Sequence, residues 1–166
     1  MSLLTSLLSF IFGLVLAYLA HVLSLSRVDR EFRLRKLDEL YSLCYVYCDA
    51  SFFVTDVIAV GQWQDNETLL AKYDKWKLIA DESRVSINRI YDIYFSQMKP
   101  RFEELTNLLI EHRRLKVDYS AGVEGQNQLI GHQMGDKRKA IDGQLQLIVN
   151  DIRENADLLR RAWPML

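Results

Sequence analysis

The densest group of side chains able to do chemistry in this 166-residue chain is basic: His112, Arg113, Arg114 and Lys116 stand on one side of a glycine-containing segment, and Lys137, Arg138 and Lys139 on the other. Guanidinium and ammonium groups make strong charge-assisted hydrogen bonds to phosphate oxygens, and glycines such as Gly122, Gly125, Gly131 and Gly135 let a backbone come close to a bound anion. If the two flanks are ends of antiparallel helices, they meet. Arg113, Arg114, Lys116, Lys137, Arg138 and Lys139 then form a candidate site for an anionic, nucleotide-like small ligand. Against this, Glu111, Asp118, Glu124 and Asp136 lie among the same residues, and such clusters are mostly solvated helix faces. No Walker sequence or dinucleotide fingerprint accompanies them.

The remaining inventory gives catalysis little support. The three His residues, 21, 112 and 132, have no metal-ligand spacing, and no Glu-x-x-His pair is present for a di-iron bundle. Cys44 and Cys48 lack a nearby His and share a helical face with Tyr41 and Phe52, which reads as apolar packing in a reducing compartment. No enzyme, metal or cofactor is expected. A formal net charge of −1 also excludes bulk attraction to nucleic acid.

A different kind of signal occupies the N-terminus. Leu3 to Leu25 contains no charged residue, and every Asp, Glu, Lys and Arg follows Ser26. At about 1.5 Å per residue this stretch reaches roughly 35 Å as a helix, enough to cross a hydrocarbon core of about 30 Å. A secretory signal would need a basic start, a shorter apolar core and a small-x-small cleavage site. Ala17-Tyr18-Leu19-Ala20 imitates the last of these, yet apolar sequence continues past it. Arg27, Arg30, Arg33, Arg35 and Lys36 follow at once, so the positive-inside rule puts the N-terminus outside and residues 27–166 in the cytoplasm, with the inner membrane as the expected location. In that compartment the acceptor sequence Asn66-Glu67-Thr68 is a chance match.

Within the span, Ser6, Ser9, Gly13, Ala17, Ala20 and Ser24 recur at three- and four-residue spacing and fall on one face. Small residues let helix backbones approach closely, so this stripe predicts a homo-oligomer. It reads equally as a packing seam or as the wall of a pore. His21, one turn beyond Ala17, is either functional or snorkels to the interface. The span has no acidic residue, which argues against a proton-driven subunit.

The elements that must position these groups are helices. Pro occurs only at 100 and 164, and Gly13 and Gly61 are the sole glycines of the first hundred residues. Three-or-four spacing of Phe32, Leu37, Leu40, Tyr41, Cys44, Tyr47, Cys48, Phe52, Val54, Val57 and Ile58 carries the membrane helix on to about Val60. After a turn at 61–66, capped by Asp65 or Asn66, a second helix places Leu69, Tyr73, Trp76, Ile79, Ala80, Val85, Ile87, Ile90, Tyr91 and Tyr94 inward and ends near Lys99. Pro100 opens a third, with Phe102, Leu105, Leu108, Leu109, Leu115 and Tyr119. A long loop is expected from Ser120 to Gly135. Asp136 then caps a fourth helix with Ile141, Leu145, Ile148, Ile152, Ala156, Leu159 and Ala162 inward.

The fold class is therefore all-α: a single transmembrane helix (1–26) continuous with an antiparallel bundle of about four long helices (27–166). Arg160, Arg161 and Trp163 at the chain end join Arg27, Arg30 and Arg33 as residues suited to a membrane surface. Two functional readings follow. A bundle that senses an anionic ligand or protein partner and alters the packing or permeability of an oligomeric membrane helix is one. A membrane-anchored scaffold or assembly subunit, offering Tyr-rich faces to a partner, is the other.

Overall fold

The computed structural model describes residues 2–59, 66–122 and 127–161, with side chains from residue 12 onward, that of Asn127 excepted. It consists of α1 (Ser2–Ala59), α2 (Glu67–Tyr94), a short 3-10 turn (Ser96–Met98), α3 (Lys99–Ser120) and α4 (Asn127–Arg161). No strand occurs among the described residues. The chain divides into two compact units, Met1–Lys36 and Leu37–Leu166.

In the first unit, every described side chain from Phe12 to Asp29 is exposed. Leu14, Leu16, Tyr18 and Leu25 each leave half or more of their surface uncovered. This is the one helix of the described residues that is long and apolar enough to cross a membrane. Past the apolar stretch, Arg27 pairs with Glu31 and Arg33 with Asp29, each at 2.9 Å and one helical turn apart. Such exposed pairs are screened by water and contribute little to helix stability.

In the second unit, residues 37–59 of α1 form the axis on which the other helices pack. The Phe53 and Trp76 rings lie 4.9 Å apart, and the Cys44 thiol sits beside the Tyr91 hydroxyl, so α2 runs antiparallel to α1. Tyr47 meets Phe102 at 5.3 Å and Asp56 pairs with Lys116 at 3.3 Å, so α3 runs parallel to it. Between α3 and α4, Arg101 pairs with Asp151, Gln144 donates to Glu104, and Lys137 pairs with Glu111, an antiparallel register. The up-down bundle anticipated from short connections is thus present in this unit.

Most of the periodic core positions are buried: Leu37, Leu40, Cys44, Ile87, Tyr91, Phe102, Leu105, Ile141 and Ile148 are at most 1% exposed. Others are not. Val85 is 55% exposed because the inward phase of α2 is set by Ala80, Ser83, Ile87 and Ile90; at roughly 100° per residue, Val85 points to the far side. Phe32, Tyr41 and Tyr119, also expected inside, are 40–44% exposed. Ala162 and the 61–65 turn, with Asp65, lie outside the described residues, as does Trp163.

Two boundaries differ from expectation. α2 stops at Tyr94 rather than near Lys99: Phe95 leaves helical geometry (φ −141°, ψ 47°) and, with Met98, is buried as the 3-10 turn reverses the chain. Lys99 is itself helical, at φ −55° and ψ −42°, despite the proline after it, so the burial of Phe95 and Met98 sets this corner. Pro100 does occupy the first turn of α3.

The second difference is larger. The long loop from 120 to 135 is mostly helix, since α4 begins at Asn127 and Asp136 lies well inside it. Gly122, at φ 67°, forms the turn after α3. Glycine costs about 1 kcal/mol in a helix interior, but α4 gains buried contact from Ile130, and Gly131 brings its backbone against the Tyr119 ring, 4.0 Å from where a Cβ would stand.

Asn66 accepts a hydrogen bond from the Leu69 N–H at 3.1 Å and caps α2. Replacing it by Ala should cost about 1 kcal/mol. Phe102→Ala, which removes a ring packed on both Tyr47 and Tyr91, should cost about 3–5 kcal/mol. Denaturant unfolding of the purified protein checks both, and equal losses would contradict this assignment of core and cap.

Candidate functional site

The basic residues lie on the C-terminal half of α3 and the N-terminal half of α4, which run side by side. Successive helical residues are separated by roughly 100°, so neighbours in sequence go to different surfaces. Arg114 and Lys137 come together in a groove of about 440 Å³ between α3 and α4, shared with Glu111, Leu115, Gln133 and Asp136. Two cations and two carboxylates leave that groove without net charge. Lys137 is bound to Glu111, while Arg114 has no ion-pair partner among the described residues.

The other members turn elsewhere. Lys116 reaches Asp56 of α1 at 3.3 Å. Arg138 Cζ lies over the Phe52 ring, 3.7 Å from its centroid, and the guanidinium approaches Asp142 at 3.6 Å. Lys139 projects into solvent near Asp136, 3.9 Å away. Arg113 Nε donates to the Thr55 hydroxyl at 3.4 Å, a long bond to a neutral acceptor.

His112, between them, is only 8% exposed and sets its ring edge-on to Phe52 at 5.3 Å. Its Nδ1 is buried without a hydrogen-bond partner. Burial, and then the nearby Arg138 and Lys116 charges, push its pKa below the ordinary value, with Asp56 opposing. The imidazole is therefore held neutral.

Cys44 and Cys48 are free and buried, and burial pushes each thiol up to about 12. At neutral pH neither is a thiolate, so they pack as small apolar groups rather than act as nucleophiles. No group of three or more His, Cys, Asp or Glu able to hold a metal occurs among the described residues.

On α1, Gly13, Ala17, Ala20 and Ser24 are exposed, and a Cβ added at Gly13 would meet nothing within 4 Å. The side chains of Ser6 and Ser9 lie outside the described residues. Of the residues suited to a membrane surface, Arg27, Arg30 and Arg33 belong to the first unit; Arg160, paired with Asp157 at 3.3 Å, and Arg161 belong to the second.

A further cleft, of about 170 Å³, opens where α1, α2 and α3 meet. Lys77, Asp81 and Arg84 of α2 line it together with Arg113 and Thr106 of α3 and the buried Ser51 of α1. Sequence reasoning passed over it. The available signal was the spacing of Lys77, Asp81 and Arg84, which sets three charges along one flank of α2 beside the core positions Ala80 and Ser83.

Comparison of the chain with protein-family models, curated proteins and solved structures finds no match.

The His112 environment carries a pH dependence with a definite sign. Its folded pKa lies below its unfolded value near 6.5, so the unfolded state takes up the proton first as pH falls, and stability is lost below about pH 6.5. The native protein should therefore lose more melting temperature between pH 7 and pH 5 than His112→Leu does. Parallel curves for the two proteins would show that His112 contributes nothing to acid sensitivity.

Proposed function

We propose that the protein is a single-pass membrane effector: an oligomer joined through its N-terminal helix, whose helical bundle responds to a ligand or partner and alters membrane packing or permeability. The observation that supports membrane insertion most directly is the exposure of Phe12, Leu14, Leu16, Leu19 and Leu23, an apolar surface far too continuous for water. Lipid and neighbouring copies of the helix satisfy it. The run of basic residues from Arg27 to Lys36 favours an inner-membrane location with the bundle on the cytoplasmic side.

The small-residue face supports self-association, because one spanning helix must find its partner in another chain. No glycine or proline interrupts the sequence between Gly13 and Gly61, so nothing in the covalent chain uncouples the span from the bundle. A change in bundle packing is then felt in the membrane. Enzymatic activity forms no part of this reading.

The scaffold reading is favoured by one specific feature. Tyr41 and Tyr45, with ring centroids 5.0 Å apart, are exposed beside Val46 and offer an amphipathic surface to a protein partner. Expression with a dye-leakage assay separates the two readings, because an anchor leaves the membrane sealed.

Gly13→Leu keeps the helix apolar but blocks close approach. Native mass and crosslinking of the detergent-solubilised protein should then show smaller species than the unmodified chain, with Leu14→Ala unaffected. An unchanged assembly for Gly13→Leu together with disruption by Leu14→Ala would place the contact on another face.

A further inference from the structure

The cleft between α1, α2 and α3 has an unusual charge balance. Three cations, Lys77, Arg84 and Arg113, face it with one carboxylate, Asp81. That carboxylate stands 3.8 Å from Arg84, at the edge of ion-pair distance. Among the described residues, Lys77 has only the face of the Tyr73 ring, 5.7 Å away. Arg113 is half-buried, and among the described residues its single partner is the neutral Thr55 hydroxyl.

Two positive charges are thus in excess; Lys77 and Arg84 are exposed, and Arg113 is half-buried. Several cations turned toward a neighbouring helix elsewhere in the bundle meet acids, as Lys116 meets Asp56, Arg101 meets Asp151 and Lys137 meets Glu111. A half-buried guanidinium without a carboxylate keeps most of its donors available, and a guanidinium fork fits two oxygens of one oxyanion. Hydroxyls complete the lining: Ser51, 3% exposed, from α1 and Thr106 from α3. The Ser51 hydroxyl can donate to an anion; the Thr106 hydroxyl donates its proton to the Phe102 carbonyl at 2.9 Å and only borders the cleft.

Size restricts the ligand. A volume of about 170 Å³ lies below the roughly 300–1,000 Å³ of pockets that enclose drug-sized molecules. A phosphoryl group with a few attached carbons fits such a space; a nucleoside does not.

We propose that this cleft is a binding site for a small soluble phosphate compound, held by Arg113, Lys77 and Arg84 from two helices and by the hydroxyl of Ser51 from a third. Arg113 is the central contact because it is the least solvated of the three cations. An anion here ties α2 and α3 to α1, adding to the long Arg113–Thr55 hydrogen bond at this corner of the bundle. The site gives the effector reading a ligand and rests on it only for its purpose, since binding is measured separately from permeability.

The test uses the full-length protein in detergent, with thermal unfolding followed in inorganic phosphate, glycerol phosphate and chloride at matched ionic strength. A saturable rise in melting temperature with the two phosphates, absent with chloride, is expected, as linkage requires for a ligand of the folded state. Arg113→Gln and Lys77→Gln should each weaken this binding about tenfold or more, as the loss of a charge-assisted contact implies. Arg89→Gln, an exposed charge change on α2, should leave it intact.

No saturable shift with either phosphate would overturn the proposal, as would equal shifts in the native protein, Arg113→Gln and Lys77→Gln. Loss of binding in Arg114→Gln but not in Arg113→Gln would move the anion to the α3–α4 groove and overturn it too. Stabilisation by a short-chain phosphatidic acid, with none by the soluble phosphates, would assign the chemistry to a lipid headgroup and overturn the soluble ligand. Phosphate binding without any effect on dye leakage would leave the site standing and count against the effector reading alone.

Discussion

Residues 37–57 of α1 bury Leu37, Leu40, Cys44, Tyr47, Cys48, Ala50, Ser51, Val54, Thr55 and Val57, and at roughly 100° per residue these cover about half the helix circumference. An amphipathic helix on a protein surface needs only a stripe of about 100°. A face this broad needs several partners to cover it, and α2, α3 and α4 each supply part of that cover. α2 brings Trp76 and Tyr91, α3 brings Phe102 and His112, and α4 brings Arg138. The directions of α2 and α3 follow from their contacts with this axis, and α4 takes its register from α3. The polar residues on the same face are accommodated locally, as where the Thr55 hydroxyl donates to the Ser51 carbonyl one turn back.

The distribution of charge follows from the same arrangement. Exposed pairs such as Arg27 with Glu31 or Arg160 with Asp157 form within a single helix and contribute little. Charges turned toward another helix matter more, because each sits where some water has been displaced. Most of these meet a carboxylate. Arg113 meets a hydroxyl, and His112 lies edge-on to an aromatic ring in its neutral form. Chemical potential therefore concentrates along the inner flank of α3.

Much of this was legible in the residues themselves. The absence of glycine and proline from 14 to 60 announced one long helix, and three-or-four spacing located Leu37, Cys44, Phe102 and Ile148 in the core, because a helix repeats its faces every 3.6 residues whatever its partners. Asn66 announced its cap through side-chain chemistry that acts within one turn. The glycines at 131 and 135 misled. Their propensity cost is real, yet it is local and small beside the packing gained when α4 extends back to Ile130, and propensity alone cannot weigh the two.

The candidate sites divide along the same line. Composition and order determined that a charge-free apolar segment of membrane-spanning length precedes a helical, charge-balanced remainder, and that basic residues stand on both sides of a glycine-containing segment. Each of these is a property of neighbouring residues. Which cations face one another depends on helix rotation and on pairing between distant segments. Only the tertiary structure could separate Arg113 from Arg114, neighbours in the chain but lining different clefts, and bring Arg113 to Lys77 and Arg84. The physical reason is that rotation of a helix about its axis is set by the area it buries against all its neighbours together, a quantity that no single stretch of sequence contains.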